Sequence, residues 1–226
     1  TPNEYIEYGE GIFHDLSYQQ ARHFYRPISG IYVANPGYVF GTAAIPRASL
    51  ITEIDRQPVA NLDDLQHVLE SIPQGAQVSV RFVMFDDPQN EKQSIIVNES
   101  EWFPSARCKR DDASGEWPCQ SLTLSPRVAE PEIQETTFPL EGERQVQRIR
   151  PSLVLVNFSM PYTVSGVADR YYYGTGLVAD AERGLVVVDR NTVPVAIGDV
   201  RITFAGSLEI PGRIEYIHPL HNLAVV

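Results

Sequence analysis

Short apolar runs separated by turn residues dominate the last quarter of the chain. Between Tyr171 and Val226 they recur at Gly176–Ala179, Leu185–Val188, Val200–Phe204, Arg213–Ile217 and Leu223–Val226, with Gly, Pro, Asp and Asn between them. This rhythm of short, β-branched runs predicts an all-β barrel or sandwich. No run is long enough to span a bilayer as a helix.

The first hundred residues mix two periods. Ser17 with Gln20 three positions later has the form of a capping box and predicts a short helix from Tyr18 to about Phe24. Gly30–Ala34 reads as a strand followed by the turn Asn35-Pro36-Gly37, and Ser49–Ile54 as a second strand. The clearest helix begins at Asn61, a good N-cap, with Asp63 and Asp64 in the first turn and Gly75 past the end. Leu62, Leu65, Val68, Leu69 and Ile72 fall on one face of it. Val78, Val80, Phe82 and Met84 alternate with polar residues as in a half-buried strand. Asp86–Asn90 reads as a turn, and Gln93–Asn98 as a last strand.

Residues 101–150 read as a connector. Pro104, Pro118, Pro126, Pro131 and Pro139 argue against a long helix, and Arg144–Arg150 reads as a solvated strand or turn. Trp102 and Trp117 are expected to pin the cysteine-containing loop to the preceding unit. Ser152–Phe158 then opens the C-terminal sheet.

Composition narrows the function. In 226 residues, 43% hydrophobic content supports a core, and the net charge of −11 speaks against a nucleic-acid or anionic-membrane surface. Cys108 and Cys119 bracket an Asp-, Ser- and Gly-rich loop. Either they form a disulfide in an oxidising compartment or they are free thiols in a reducing one. No further cysteine or histidine pair offers zinc-ligand spacing, so neither metal nor cofactor is expected. His218 and His221, flanking Pro219, read as surface-loop histidines.

Two resemblances sharpen this picture. The phrase GIYVANPG…SLITEIDRQPVANLDDLQHVL, with Pro36-Gly37 and Gln57-Pro58-Val59 in place, resembles a PDZ domain of the HtrA type over about Gly9 to Asn98. That resemblance implies a peptide added as a strand to the sheet edge beside the helix, its carboxylate held by backbone N–H groups of a glycine-containing loop. The matching positions are Glu10, Gly11, Ile12 and Phe13, with His67 on the helix. Glu10 either brings a like charge to an anion-receiving loop or points to solvent.

The C-terminal part resembles the first barrel of trypsin-like HtrA/Deg proteases. Gly174-Thr175-Gly176 stands for their GSG strand, Val188–Val193 for TNNHVV and Asn222–Val226 for DLAVL. Where that pattern has its general-base His and orienting Asp, this chain has Asn191 and Asn222, thirty-one residues apart. An amide does not titrate near neutral pH, so the resemblance implies a degenerate protease domain with no catalytic residues. No GNSGGP-like nucleophile turn occurs. SYQQARHF, NPGYVF, EWFPSA with RDDASGEW, and VVVDRNTV resemble one subgroup: long HtrA/Deg proteins with several PDZ domains and a second, degenerate protease domain, in plant chloroplasts and yeast nuclei.

The chain is therefore expected to be a mainly β fragment with short helices. A PDZ-like domain (1–100) precedes a connector (101–150) and the first barrel of a degenerate trypsin-like domain (151–226). It would be inactive itself, within a serine endopeptidase of protein quality control, binding peptide or unfolded polypeptide or assembling subunits. The resemblance implies a homo-oligomer, a trimer, contacted through Tyr171, Tyr172 and Tyr173; the other reading of these tyrosines is packing within the barrel. The alternative function is a stand-alone scaffold with no active protease parent. Working hydrolysis by new chemistry finds no nucleophile–base pair. The cysteine pair points to a periplasmic setting, with cytoplasmic or nuclear as the alternative.

Overall fold

The computed structural model describes residues 2–126, 135–139, 142–167 and 169–226. It divides into two compact units, 1–130 and 131–226, each with its own sheet and its own core.

The first unit holds β1 (Glu4–Tyr8), β2 (Gly11–Asp15), α1 (Tyr18–Phe24), β3 (Ile31–Asn35), α2 (Val39–Thr42), β4 (Leu50–Ile54), β5 (Gln57–Pro58) and α3 (Leu62–Ser71). It continues through β6 (Gln77–Met84), β7 (Asp87–Val97), β8 (Ala106–Lys109) and β9 (Cys119–Ser121). Its antiparallel sheet runs β7-β6-β4-β3-β2-β1-β8-β9, with β5 paired to β4. Both expected caps form. The N–H of Gln20 donates to Ser17 Oγ at 3.3 Å while Ser17 N–H donates to Gln20 Oε1 at 3.0 Å. Asn61 Oδ1 accepts from the N–H groups of Asp63 and Asp64. A carboxylate joins that helix start: Leu62 N–H donates to Asp15 Oδ1 at 2.8 Å, tying the end of β2 to α3.

The apolar face of α3 packs into the core. Leu62, Leu65, Val68, Leu69 and Ile72 are all buried there with Ile6 and Tyr8 of β1 and Phe13 of β2. Burying each such side chain is worth roughly 1.5–3 kcal/mol.

Three expectations about the chain up to Arg150 are corrected. Asp86–Asn90 is not a turn: the reversal is at Phe85–Asp86, and β7 starts at Asp87. Pro88 is tolerated because it falls in the register shift between the Met84–Asp87 and Val83–Glu91 pairs, where it has no partner on β6. Arg144–Arg150 is not a strand or simple turn, since residues 144–149 form the short helix α4 (Arg144–Ile149), set between Pro139 and Pro151 and without buried residues. Proline density limits helix length here rather than forbidding a helix. Finally, part of the connector is sheet, because β8 and β9 extend the first unit beyond β1. Trp102 packs against that unit's core, and Trp117 lies with its ring 5.3 Å from Tyr5. Pro131 lies outside the described residues.

The second unit follows α4 with β10 (Leu153–Ser159), β11 (Tyr171–Asp180), β12 (Leu185–Val188), β13 (Asp199–Phe204), β14 (Leu208–Gly212), β15 (Tyr216–Ile217) and β16 (Ala224–Val225). The sheet order is β14-β13-β10-β11-β12-β16-β15, antiparallel throughout. The expected run Arg213–Ile217 is divided: β14 ends at Gly212 and β15 holds only Tyr216 and Ile217. Val154, Val156 and Phe158 point into the core, while Leu153 and Leu155 alternate outward. The architecture is mainly β, a PDZ-like unit and a partial barrel.

Candidate functional site

The loop expected to receive a peptide carboxylate is a closed hairpin turn. Tyr8 pairs with Gly11 and Ile6 with Phe13, which leaves only Gly9 and Glu10 to turn the chain. Both have positive φ, 55° and 67°, the backbone of a two-residue type I′ hairpin. The turn is fastened from outside. Tyr38 and Val39 N–H groups donate to Gly9 O at 2.9 and 3.2 Å. Gly37, at φ +62°, passes so close that a Cβ there would lie 2.2 Å from the carbonyl carbon of Glu10.

The expected peptide residues separate accordingly. Phe13 is fully buried, its ring 4.7 Å from that of Phe40, and Gly11 is buried beneath Phe13 and Pro36. Ile12 and Glu10 are half-buried, and His67 stands exposed on α3. Neither edge of β2 is free: β3 takes one and β1 the other. Beyond β1 lies β8, and Arg107 on it reaches both ways. Its Nε donates to Glu4 Oε1 at 2.7 Å, and its Nη1 to Asp63 Oδ1 of α3 at 2.6 Å and to Gln66 Oε1 at 3.1 Å. Burial opposes the Arg107 charge; the hydrogen bonds it donates to Asp63 and Glu4, with their negative charges, outweigh it, and its pKa lies above the ordinary guanidinium value. The chain after β9 then crosses to α3, where Thr123 N–H donates to Glu70 Oε1 at 3.1 Å and Ser125 Oγ to Glu70 O at 2.6 Å.

Sequence reasoning missed a polar buttress under this arrangement. The Tyr8 hydroxyl donates to Asn98 Oδ1 at 2.6 Å inside the core, and Asn98 Nδ2 donates to the carbonyls of Ile72 and Pro73. Ser100 Oγ also donates to Asn98 Oδ1, at 2.8 Å. Burial pushes the Tyr8 phenol well above its ordinary value, partly offset by its hydrogen bond with Ser100. A lone Asn after an apolar run carries no sequence signal for this role. Cys108 and Cys119, opposite each other on β8 and β9, form a disulfide; Cys108 is buried and Cys119 exposed.

In the second unit, Val188 pairs with Ala224 in antiparallel register. The chain leaving β12 and the chain arriving at β16 therefore meet at one end of the sheet, and Asn191 and Asn222 both lie there, exposed. The two loops are tied together, since Arg190 Nη1 donates to Pro219 O at 3.1 Å. Asp189 shapes the first loop by accepting the N–H groups of Asn191 (2.8 Å) and Thr192 (3.2 Å) and the Thr192 hydroxyl (3.1 Å). Thr192 sits where a Cβ on Gly174 would be, 2.1 Å from its Oγ1, which accounts for the first glycine of Gly174-Thr175-Gly176. Gly176 is crowded in the same way by Val186, Val156 and Val154. In the second loop, His218 Nδ1 accepts the N–H groups of Leu220 and His221.

The three tyrosines lie within β11 and alternate. Tyr171 and Tyr173 face outward, 44% and 79% exposed. Tyr172 turns toward Phe158, and its hydroxyl accepts Asp169 N–H. Among the described residues, no group of three His, Cys, Asp or Glu could hold a metal ion, and no helix is long and apolar enough to cross a membrane.

Residues 1–75 match the family described as a PDZ-like domain. The whole chain aligns with pro-apoptotic serine proteases named Nma111: 32% identical over 230 residues in Aspergillus oryzae, 33% over 230 in Aspergillus terreus and 32% over 237 in Yarrowia lipolytica. The chain thus carries a PDZ-like domain and is similar along its whole length to a segment of these serine proteases. It spans 22% of the length of the two Aspergillus proteins and 24% of the Yarrowia one. These homologues are fungal, which overturns the periplasmic setting; the cytoplasmic or nuclear alternative is consistent with them. A cysteine pair shows only that a bridge can close, not which compartment holds it.

Proposed function

We propose that this chain is a non-catalytic segment of an HtrA-type serine endopeptidase of protein quality control. In this reading the first unit is a PDZ-like domain for peptide or unfolded polypeptide. Residues after the connector are the first barrel of a degenerate trypsin-like domain, kept for its shape and for assembly of subunits. The observation that carries the reading is the corner at Val188 and Ala224. There the two loops that the resemblance assigns to a proton shuttle and its carboxylate support end in Asn191 and Asn222. Neither amide takes up a proton near neutral pH, so neither can act as general base or stabilise an imidazolium.

The outward row Leu153, Leu155, Leu177, Tyr171 and Tyr173 supports the assembly role. Exposed aromatic and aliphatic side chains on neighbouring strands suit a contact between subunits. Tyr171 and Tyr173 are the proposed oligomer contacts, in a trimer of the parent; Tyr172 supports them from the core side.

The test is incubation of the purified chain with unfolded casein. No cleavage is expected. Specific cleavage that disappears when one serine is substituted would overturn the proposal.

A further inference from the structure

We infer that β1 is a resident ligand of the PDZ-like unit, and that the β8–β9 hairpin is the latch that holds it; the inference rests on the PDZ-like reading above. A PDZ ligand adds as an extended strand beside a helix, supplies main-chain hydrogen bonds, and sends alternate side chains into pockets. The strand β1 does all three. It pairs antiparallel with β2 and runs toward the Gly9-Glu10 turn. Its alternate residues Ile6 and Tyr8 are fully buried in the core shared with Leu62, Leu65, Val68 and Leu69 of α3. Where a free peptide would end in a carboxylate, β1 continues through the type I′ turn into β2, so the receiving loop carries chain instead of an anion.

The latch is separate from the ligand. The strand β8 pairs with β1 from Glu4 to Glu7. Arg107 joins β1 to α3 through Glu4 and Asp63, with side-chain exposures of 23% for the arginine and 25% for Glu4. The disulfide holds β9 against β8, and Thr123 and Ser125 fasten the following chain to Glu70 of α3. The exposed Cys119 end makes this bridge accessible to a reductant. Reduction by a phosphine consumes one water, gives two thiols, and leaves the phosphine as its oxide. Two electrons pass from phosphorus to the disulfide, and the two protons come from that water.

The experiment combines amide hydrogen exchange with NMR titration on the whole chain. The probes are a pentapeptide with an apolar C-terminal residue and free carboxylate, and the same peptide amidated. For the oxidised wild type, neither peptide should shift the amides of Gly11–Asp15 up to about 1 mM. Saturable shifts there, with β1 still protected, would overturn the inference. In reduced Arg107→Ala, exchange at Ile6 and Tyr8 should rise at least about tenfold while β4 and β6 hold, and the free-carboxylate peptide should now shift Gly11–Asp15. Unchanged protection of β1 would show that the hairpin is no latch. Release of β1 without peptide binding would show that β2 is no ligand seat. Either result overturns the inference but leaves the casein test, and so the non-catalytic reading, standing. Should the reduced variant lose protection throughout the unit, reduction of the wild type alone gives the same readings, with an expected rise of about threefold.

Discussion

Under the function proposed above, the corner at Glu10 in the first unit and the corner at Asn191 in the second have parted from a working site by different routes. At Glu10 the change is in the main chain: β1 is paired to β2, and Gly37 lies against the turn with no room for a side chain. At Asn191 the strands still converge as Val188 and Ala224 pair, and what differs from the protease pattern is two exposed side chains. A site filled by backbone pairing is sealed by many cooperative hydrogen bonds and a shared core. A site altered in side chains alone keeps its scaffold and loses only its chemistry. The two corners should therefore respond differently to substitution.

The largest effect is expected at the sealed corner. Gly37→Ala would put a Cβ against the Glu10 main chain at a residue with φ +62°. The left-handed strain and the clash together should cost about 3–4 kcal/mol, read as a lowered urea midpoint. Ile6→Ala, in the resident strand, should cost about 3 kcal/mol in the same measurement, whereas Leu155→Ala on the outward face of β10 should cost less than about 1 kcal/mol. Equal losses for these two would break the distinction between a filled seat and an open face. Gly174→Ala meets the Thr192 side chain instead of a backbone and should cost about 2 kcal/mol, less than Gly37→Ala.

A pH titration gives a smaller effect. The folded Tyr8 phenol is raised by burial, so above an unfolded-state pKa near 10.0 the unfolded chain gives up its proton first. Stability should be unaffected by this group below that pH and fall as the pH rises beyond it. Tyr8→Phe should flatten the fall in chemical denaturation above pH 10.0. The smallest effect is none at all: Asn191→His combined with Asn222→Asp should leave casein intact, because the chain contains no GNSGGP-like nucleophile turn. Cleavage by that variant would sharpen the comparison in the opposite direction, showing a corner closer to function than its sequence implies.

Much of this was legible in the chain. The caps at Ser17 and Asn61, the apolar face from Leu62 to Ile72 and four of the five β-rich runs after Tyr171 are signals carried within one or two turns. The hairpin at Gly9-Glu10 was not legible. Type I′ turns are marked by Asn-Gly or Asp-Gly, and a glutamate at positive φ leaves no such mark. The strand β7 was shortened on paper by Pro88 and a polar run, since no local rule says which strand lies at a sheet edge.

The sequence by itself determined the two helix caps, the apolar face of α3, the alternation along β6 and the presence of amide side chains at 191 and 222. Tertiary structure alone decided that β1 sits against β2, that β8 and β9 join the first sheet, and that the loops of Asn191 and Asn222 end together. Local signals act through neighbours three or four residues apart, whereas strand partnership is chosen by contacts far apart in the chain. Pairings such as Tyr5 with Cys108 exist only once the whole core has formed.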